Sequence, residues 1–581
     1  MDNYNTDINN VLIIGCGGAG LRAAIEVKRK NLSVKVLGKR KQDDAHTTLA
    51  AGGINAALAN IDHEDSWQSH FADTYLEGYK LGDPKCIEIM VKKSPELVLE
   101  IDKWGANFDK LNNGKLNQRY FGAHSYRRTC FSGDYTGKSI LRTLLKKARD
   151  LNIEIHDDQY VTDLFVKNST CFGALSFDIN SGKVNINLAD AVILCTGGHT
   201  KIWKKSSSRK QENTGDGILL GLNAGCELID MELVQFHPTG MVLPEEMAGT
   251  LVTEAVRGEG GQLFNIEGQR FMERYDPLRM ELSTRDRIAF ANYTEIAEGR
   301  GTKNGGVLLD ISHKDKEFIM QKLPKIYRQF IESQMIDISK EAMEVAPTAH
   351  YSMGGIVVNP TTHETNIKGL FAAGEVVGGL HGANRLGGNS LAEILIFGKI
   401  TGQEATKYSL NLESQIRSKE VIEKCKAKIK RKIRKGKYYA ISLQNELSEI
   451  MWEYCGVVKN HEKLIKGIKK ISEIKKLAED IDIRVELDNY QDLVNAYNLE
   501  ASLLSAEATL QSALLRKESR GSHQRSDYQE YKSENLFNIK IKMEKKGLQI
   551  SESKYPPLNK NLKTIIKNYS LAENLSDKLL E

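Results

Sequence analysis

A glycine motif near the start of the chain constrains the fold more than any other feature. The motif Gly15-x-Gly17-x-x-Gly20 directly follows the apolar run Val11–Ile14. A helical pattern and a second apolar run, Val34–Leu37, come next. Strand, turn, helix and strand in this order are the context in which the motif binds a dinucleotide, because its glycines let the backbone approach a pyrophosphate at the helix N-terminus.

The residues after the second apolar run help to distinguish between nucleotide classes. NAD-binding chains usually carry an acidic residue there, whereas this chain has Gly38-Lys39-Arg40. The difference weakens an NAD interpretation, and flavoproteins use the same glycine motif. From the motif alone, a flavin nucleotide and other nucleotides both stay open.

Similar strand-and-turn pieces recur far along the chain. Ala191–Leu194 precedes a glycine turn, Asp216 opens a helical pattern, and the stretch from Gly369 to Glu375 leads to a helix beginning near Ser390. These pieces predict an α/β fold with one discontinuous, Rossmann-like nucleotide-binding domain, formed by residues 1–237 and 354–410. An α+β capping domain of residues 238–353 would be inserted into it.

The composition changes after about residue 410. Lysines and arginines crowd residues 424–437, where Ile422, Ile429 and Ile433 supply a sparse apolar stripe at helical spacing. This segment is either a solvated helix face or a docking surface for an acidic partner. We predict a helical domain over residues 411–530 and a short, polar and irregular C-terminal segment over residues 531–581.

Composition excludes several functional classes. A net charge of +5 over 581 residues does not predict nucleic-acid binding. The eight cysteines include no Cys-x-x-Cys pair, which argues against a structural zinc or iron–sulfur site and fits a reducing compartment. No apolar run approaches the ~20 residues of a membrane span, and no secretory signal is visible. We therefore expect a cytoplasmic protein that would reach a membrane only through partner subunits.

Scattered polar clusters indicate the chemistry. They combine imidazole, guanidinium and carboxylate groups, a set that suits a small dianion better than a sugar or a nucleic acid. Downstream of a dinucleotide-binding motif, they predict redox chemistry on a dicarboxylate. The clusters are Gln235–Gly240, Thr253–Gly261, Ser283–Asp286, Pro347–Tyr351 and His381–Arg385.

With these motifs the chain resembles the flavoprotein subunit of succinate dehydrogenase and fumarate reductase, a family that also contains L-aspartate oxidase. The resemblance extends from about residue 10 to about residue 530 and includes Ala45–Asn55, HYSMGGI from His350, HGANRLGGNSL from His381, and Glu518–His523. It implies a quinone-linked enzyme that interconverts succinate and fumarate by hydride transfer to or from FAD.

The resemblance also implies which residues hold FAD. His46 matches the histidine that forms a covalent bond to the flavin in this family, and it stands six residues before Gly52, as the family pattern requires. Ala51 occupies a place where the family usually has glutamine, which puts one amide contact near the flavin in doubt. The implied FAD residues are Gly15, Gly17, Gly18, Ala19, Gly20, Lys39, His46, Thr47, Thr48, Gly52, Gly53, Asp216, Glu375, Ser390 and Leu391.

The substrate and proton-transfer residues follow from the same resemblance. The two substrate carboxylates would be bound by His237, Thr253, His350 and Arg385, and Phe121 would lie against the carbon chain. Arg285 would exchange a proton with the substrate, and Glu254 and Arg257 would relay that proton to solvent. The resemblance implies no metal site.

L-Aspartate oxidase is the main alternative enzyme. The stretch His124–Arg128 is similar to that relative. The oxidase, however, has a glutamate that meets the substrate's amino group where this chain has Phe121, and an apolar ring cannot pair with an ammonium in that way. A soluble fumarate reductase, another dicarboxylate enzyme, and a flavin-binding protein without turnover also stay open.

The electrons that leave the flavin need an acceptor outside this chain. The resemblance implies an iron–sulfur subunit, with or without a membrane anchor, whereas an oxidase would use oxygen. One site serves both directions of the reaction, so the sequence does not fix the working direction.

Overall fold

The computed structural model describes residues 4–485, 489–531 and 536–579. The strands are β1 (Tyr4–Ile14), β2 (Val34–Leu37), β3 (Ile54–Asn55), β4 (Gln118–Arg119), β5 (Thr129–Cys130), β6 (Glu154–His156), β7 (Gln159–Lys167), β8 (Thr170–Asp178), β9 (Val184–Leu194), β10 (Leu228–Ile229), β11 (Val234–Met241), β12 (Gln262–Phe264), β13 (Val307–Asp310), β14 (Met343–Ser352), β15 (Gly355–Ile356), β16 (Leu370–Ala372), β17 (Val458–Lys459), β18 (Gln524–Arg525), β19 (Phe537–Glu544) and β20 (Gly547–Lys554).

The α-helices are interspersed with the strands, and most residues between β16 and β18 are helical. They are α1 (Gly18–Lys28), α2 (Trp67–Glu77), α3 (Pro84–Lys103), α4 (Thr136–Asp150), α5 (Asp216–Ala224), α6 (Ala255–Gly258), α7 (Met272–Tyr275), α8 (Arg285–Ala297), α9 (Lys316–Lys322), α10 (Pro324–Gln334), α11 (Asn389–Leu410), α12 (Lys419–Lys432), α13 (Ala440–Tyr454), α14 (His461–Leu477), α15 (Gln491–Leu515) and α16 (Lys560–Leu579).

The central sheet has seven strands in the order β6-β2-β1-β9-β8-β7, with β16 also paired to β9. β1 runs parallel to β2 and β9, and β16 runs parallel to β9. The carboxyl ends of these strands therefore lie at one edge of the sheet, where ligands bind in open α/β folds. Because β16 returns to this sheet after the intervening segment, the predicted discontinuous α/β fold is confirmed. β1 begins at Tyr4, earlier than the apolar run indicated.

The C-terminal end of the first strand, Val11–Ile14, is buried on both of its faces. Val11 and Ile13 belong to one core cluster with α1 and α11, whereas Leu12 and Ile14 belong to another with α5. Side chains alternate between the faces of a strand, so a continuous apolar run is what a strand with helices on both sides requires. The glycine turn after Ile14 is thereby fixed at the end of a rigid strand.

A second, antiparallel sheet carries the other half of the site. Its order is β11-β14-β13-β12, and α8 packs against β11 and β14. All its strands but the first half of β11 fall within residues 238–353, the segment that the sequence predicts as an insertion. The limits of that capping domain stay a prediction.

The helical part of the chain follows the sequence pattern, but the C-terminal segment does not. Helices α13, α14 and α15 pack on one core, and Ile429 of α12 is buried as the apolar stripe predicts. Part of the basic face of α12 pairs within the chain, since Lys428 Nζ lies 2.9 Å from Asp163 Oδ1.

The prediction of an irregular C-terminal segment is wrong. β19 and β20 form a hairpin that extends a sheet with β10, and Ile539 and Ile541 are buried in it. Two apolar residues among many charged ones are a weak signal for a strand. Within the described parts of the chain, no helix has the length and apolar character that a transmembrane segment needs.

Candidate active site

A cavity runs from the turn after β1 to the second sheet. The turn after β1, residues 45–53 and the starts of α5 and α11 line one end, and residues from β11, α8 and β14 line the other. The predicted residues that line it are Gly15, Gly17, Gly18, Ala19, Lys39, His46, Thr47, Gly52, Gly53, Phe121, Asp216, His237, Thr253, Glu254, Arg285, His350, Glu375, Arg385, Ser390 and Leu391.

Three predicted residues lie outside the cavity lining. Gly20 is inside α1, where a Cβ would lie 1.9 Å from the carbonyl oxygen of Gly15, so it allows the turn to close. Thr48 donates its hydroxyl to the carbonyl of Ala45 at 3.0 Å. Arg257 is buried behind Glu254. These residues support the site from outside the cavity.

The turn into α1 has the shape of a phosphate cradle. Gly15 has a left-handed φ of +114°, and a Cβ there would lie 2.1 Å from the carbonyl oxygen of Cys195. The N-cap of α1, Gly17, supplies no side-chain cap, and Gly18 N–H donates to Thr47 Oγ1 at 3.0 Å. A helix N-terminus that begins with glycines and has no side-chain cap of its own, next to the Thr47 hydroxyl, suits the pyrophosphate of a dinucleotide.

Two carboxylates lie along the cavity at places suited to hydroxyl groups. Lys39 Nζ lies 2.8 Å from Asp216 Oδ2 at the start of α5 and 2.7 Å from Asn498 Oδ1 of α15. Glu375, after β16, accepts a hydrogen bond from Ser352 N–H at 3.0 Å. Burial raises the pKa of Glu375 above its ordinary value. A nucleotide with a ribose fits this donor and acceptor set.

His46 is held by a buried acid that the sequence did not indicate. Its Nδ1 lies 3.1 Å from Glu212 Oε2, and Arg209 Nη2 lies 2.6 Å from Glu212 Oε1. Burial lowers the pKa of His46, but the hydrogen bond and charge of Glu212 outweigh burial, so its pKa is raised. Because Nδ1 is hydrogen-bonded to Glu212, Nε2 is the ring nitrogen that remains for a ligand in the cavity.

Two arginines from distant segments meet on one amide at the other end of the cavity. Arg285 Nη1 and Arg385 Nη2 donate to Gln235 Oε1 at 3.1 and 3.0 Å. Gln235 Nε2 donates to Asn384 Oδ1 at 2.7 Å. Burial, and then the charge of Arg285, lower the pKa of Arg385 to about 10. Two guanidiniums held together by a neutral amide leave positive charge for an anion.

One carboxylate joins three parts of the site. Glu254 Oε2 lies 2.7 Å from Arg285 Nη2 and 3.9 Å from Arg257 Nη2, and Glu254 Oε1 accepts Gly122 N–H at 2.8 Å. Burial raises the pKa of Glu254, but Arg285 and Arg257 hold it at about 2. The carboxylate is therefore ionised between two guanidiniums.

The two histidines of this site are neutral hydrogen-bonding groups. Thr239 N–H donates to His237 Nδ1 at 3.2 Å, and His237 Nε2 is buried without a hydrogen bond among the described residues. His350 Nδ1 lies 2.9 Å from Ser207 Oγ, and the two rings are 5.3 Å apart. Burial, together with positive neighbours, lowers both pKa values well below 6.5. A buried N–H without a partner indicates a missing acceptor.

Phe121 forms an apolar wall between the two ends. Its ring packs against glycines on two sides, since a Cβ on Gly52 would lie 2.4 Å from Phe121 Cζ and one on Gly387 would lie 2.9 Å from Phe121 Cδ2. The ring is buried and lies in the cavity lining. A short carbon chain can pack there, and no carboxylate stands at this position.

Gln235, Ser207, Glu212 and Arg209 complete the site, and the sequence predicted no role for them. Gln235 lies two residues before His237 in a conspicuous motif, so its proximity in sequence was an available signal. The other three lie in a polar loop, residues 204–215, that shows no periodic pattern. Only the fold brings that loop to residues 46 and 350.

Comparisons with known proteins cover nearly the whole chain. Residues 10–391 match a family model described as an FAD binding domain, and residues 444–567 match a fumarate reductase flavoprotein C-terminal model. The chain is 44% identical to one of the subunits of the fumarate reductase (CoM/CoB) of Methanothermobacter marburgensis, over 90% of this chain and 95% of that protein.

Two further comparisons agree. The chain is 36% identical to the succinate dehydrogenase flavoprotein subunit of Rickettsia bellii, over 89% of this chain and 90% of that protein. The FrdA chain of E. coli quinol fumarate reductase superposes with a TM-score of 0.90 at 32% identity, covering 96% of this chain and 99% of that chain.

Proposed function

Since the chain belongs to the family of succinate dehydrogenase and fumarate reductase flavoprotein subunits, we propose that it interconverts succinate and fumarate with FAD as its hydride carrier. The observation that carries this proposal is the pair Arg285 and Arg385 on Gln235, in one cavity with His237 and His350. This arrangement offers positive charge and hydrogen-bond donors without partners. Such groups suit a substrate whose two carboxylates are separated by a short carbon chain.

FAD is supported by the cradle at the start of α1 and by the acids along the cavity. Gly15, Gly17 and Gly18 would hold the pyrophosphate, and Asp216 and Glu375 would accept ribose hydroxyls. Bound FAD would take a hydride from succinate or give one to fumarate. Residues 46–53, Phe121 and the start of α11, which line this part of the cavity, would hold the flavin ring.

The substrate dianion would be bound by groups from three segments. Arg385 can meet one carboxylate with two parallel hydrogen bonds, which a lysine cannot do. His237 Nε2–H and Thr253 would meet the other, with His350 beside them. Holding both ends would position the two central carbons for reaction, and such positioning supplies a large part of a rate enhancement.

The proton would travel through Arg285, Glu254 and Arg257. Arg285 would lie beside the substrate, and Glu254 lies between Arg285 and Arg257. An arginine is ordinarily a weak proton donor. The buried, positively charged surroundings and the ionised Glu254 beside it are the features of this chain that would assist the exchange.

Two further points belong to the proposal. We propose that His46 bonds covalently to the flavin through Nε2, because Glu212 occupies Nδ1 and both residues line the cavity. We also propose that electrons pass to an iron–sulfur subunit, which would place the chain on the cytoplasmic face of a membrane where that subunit has an anchor. The relatives' names include both CoM/CoB and 8-methylmenaquinol enzymes, so the partner would set the electron donor.

Anaerobic titration of the FAD-loaded chain tests the proposal. Succinate should bleach the oxidised flavin absorbance, and fumarate should restore it after chemical reduction. L-Aspartate should do neither, because Phe121 stands where an ammonium would need a carboxylate. Bleaching by aspartate and not by succinate would refute the assignment and favour an aspartate oxidase.

A further inference from the structure

A second hydrogen-bonded group lies directly behind the arginine pair. Asp286, the neighbour of Arg285, accepts from Asn384 Nδ2 at 2.9 Å, and Asn384 is the neighbour of Arg385. Asn384 Oδ1 in turn accepts from Gln235 Nε2 at 2.7 Å. The side chains of Arg285, Gln235, Asn384 and Asp286 are therefore linked in series by hydrogen bonds, and the backbone between Arg285 and Asp286 closes the circuit. This circuit joins the start of α8 to the loop that holds Arg385.

This circuit has an anchor outside the cavity. Tyr79, in the turn after α2, donates its hydroxyl to Asp286 Oδ2 at 2.6 Å. The end of α2 supplies Glu77, whose Oε1 accepts from Asn384 Nδ2 at 2.6 Å. Tyr79 does not line the cavity, and Asp286 is the side chain that connects its hydroxyl to this circuit.

The backbone at Tyr79 is held in an uncommon conformation. Tyr79 and Lys80 have φ angles of +52° and +63°, and two consecutive non-glycine residues in the left-handed region are rare. The turn is fixed by neighbours, since Arg520 Nη1 donates to the Tyr79 carbonyl at 2.9 Å and the Tyr531 ring lies 5.6 Å from the Tyr79 ring. Such conformations persist where several surrounding contacts hold them in place, and they cluster at functional sites.

The position of Asp286 at the start of α8 explains how its hydrogen bond with Tyr79 can affect Arg285. Arg285 and Asp286 are the first two residues of α8, so their side chains point in directions about 100° apart. Holding Asp286 on the turn after α2 fixes the rotation of the helix start about its axis. That rotation determines where the Arg285 guanidinium points relative to Gln235 and Glu254.

We propose that Tyr79 is a positioning residue for the reaction: its hydroxyl, through Asp286, fixes the start of α8 and so aims Arg285 at the substrate. This inference rests on the proposed function for its effect on catalysis. The Tyr79–Asp286 hydrogen bond joins two parts of the chain. Tyr79 is in the turn after α2, a helix that packs with the nucleotide-binding part, and Asp286 is in α8, which packs on the second sheet. A displacement of about 1 Å at a reacting group can cost about 10²-fold in rate.

The Tyr79→Phe variant of the full FAD-loaded chain tests the proposal, with reduced methyl viologen as electron donor and fumarate as acceptor. We expect kcat to fall about tenfold, with KM for fumarate and FAD content close to those of wild type. Tyr75→Phe is the matched control, because Tyr75 is on the preceding helix and its hydroxyl contacts Tyr555 rather than Asp286. It should leave kcat unchanged.

A double-mutant cycle separates this role from a general weakening of the fold. If Tyr79 acts through Asp286, Tyr79→Phe should add nothing to the loss caused by Asp286→Asn, whereas independent residues would give losses that multiply. A kcat for Tyr79→Phe within twofold of wild type, or multiplying losses, would overturn the proposal.

Hydrogen exchange of the peptide covering residues 283–297 provides a measurement that does not depend on the substrate. Tyr79→Phe should speed exchange at the start of α8, and Tyr75→Phe should not. Unchanged exchange would overturn the positioning role even in an active enzyme. A wild-type chain that fails to reduce fumarate while exchange responds as expected would instead refute the proposed function.

Discussion

Arg285 and Glu254 are joined by two contacts that end on the same oxygen. Arg285 Nε and Nη2 lie 2.8 and 2.7 Å from Glu254 Oε2. The third nitrogen, Nη1, lies on Gln235. Two partner oxygens therefore engage all three guanidinium nitrogens, which fixes the plane of the group.

The geometry of Arg285 predicts that lysine cannot replace it. A single ammonium cannot meet Glu254 and Gln235 in one plane. We expect Arg285→Lys to lower kcat by about 10²- to 10⁴-fold, the usual contribution of a positioned acid or base. The dissociation constant of malonate should change little, because Arg385 and the histidines remain. Near-normal turnover in steady-state assays would refute the proton role of Arg285.

The neutral histidines predict a flat pH dependence of dianion binding. Burial and positive neighbours lower the pKa of His237 and His350 well below 6.5. A group with a lowered pKa gains its proton only below that pKa, so neither ring becomes charged between pH 8 and 6.5. The affinity for malonate, followed by flavin absorbance, should therefore stay nearly constant over this range. A several-fold tightening towards pH 6.5 that persists in His46→Ala, which lacks the raised-pKa imidazole of the same cavity, would show that His237 or His350 titrates there.

The role proposed for His46 predicts that a mutation can abolish covalent attachment of the flavin without abolishing FAD binding. In His46→Ala, the cradle at α1 is intact, so the protein should keep FAD but release it on acid denaturation. Succinate oxidation should be lost before fumarate reduction, because a covalent, cation-linked flavin has the higher reduction potential. Flavin fluorescence on the denatured polypeptide band checks this: wild type should show it and His46→Ala should not. A dark wild-type band would disprove the covalent bond.

A buried arginine in the C-terminal part predicts a large effect on stability. Arg516 donates to Glu232 at 2.6 Å and to Glu518 at 3.0 Å, and it is fully buried. Arg516→Ala would leave these carboxylates without that partner, so we expect a loss of about 3–5 kcal/mol in the free energy of unfolding. Arg142→Ala, an exposed change on α4, should cost at most about 0.5 kcal/mol. Urea denaturation of both variants provides the comparison, and equal losses would contradict the role of Arg516.

The parts of the fold that follow local rules were predictable. The turn after β1 and the start of α11 at Asn389 depend on apolar periodicity and glycine placement, which a single sequence displays. The β19–β20 hairpin was not predictable, because its first strand pairs with β10, about 300 residues earlier.

The residues of the site likewise divide into those that the sequence indicated and those that it did not. Arg385 and His237 stand in dense polar motifs, and the resemblance identified them. Glu212 does not stand in such a motif, and its proximity to His46 depends on how residues 204–215 cross the cavity. The contact of Tyr79 with Asp286 likewise depends on a left-handed turn that tyrosine does not favour.

A crystal structure of the FAD-loaded protein with malonate tests the central claim most directly. We expect one carboxylate of malonate to lie on the Arg385 guanidinium and the other within hydrogen-bond distance of His237 Nε2, with the central carbon between Phe121 and the flavin ring. A structure in which malonate is bound elsewhere, with Arg385 and His237 directed away from the flavin, would contradict the claim.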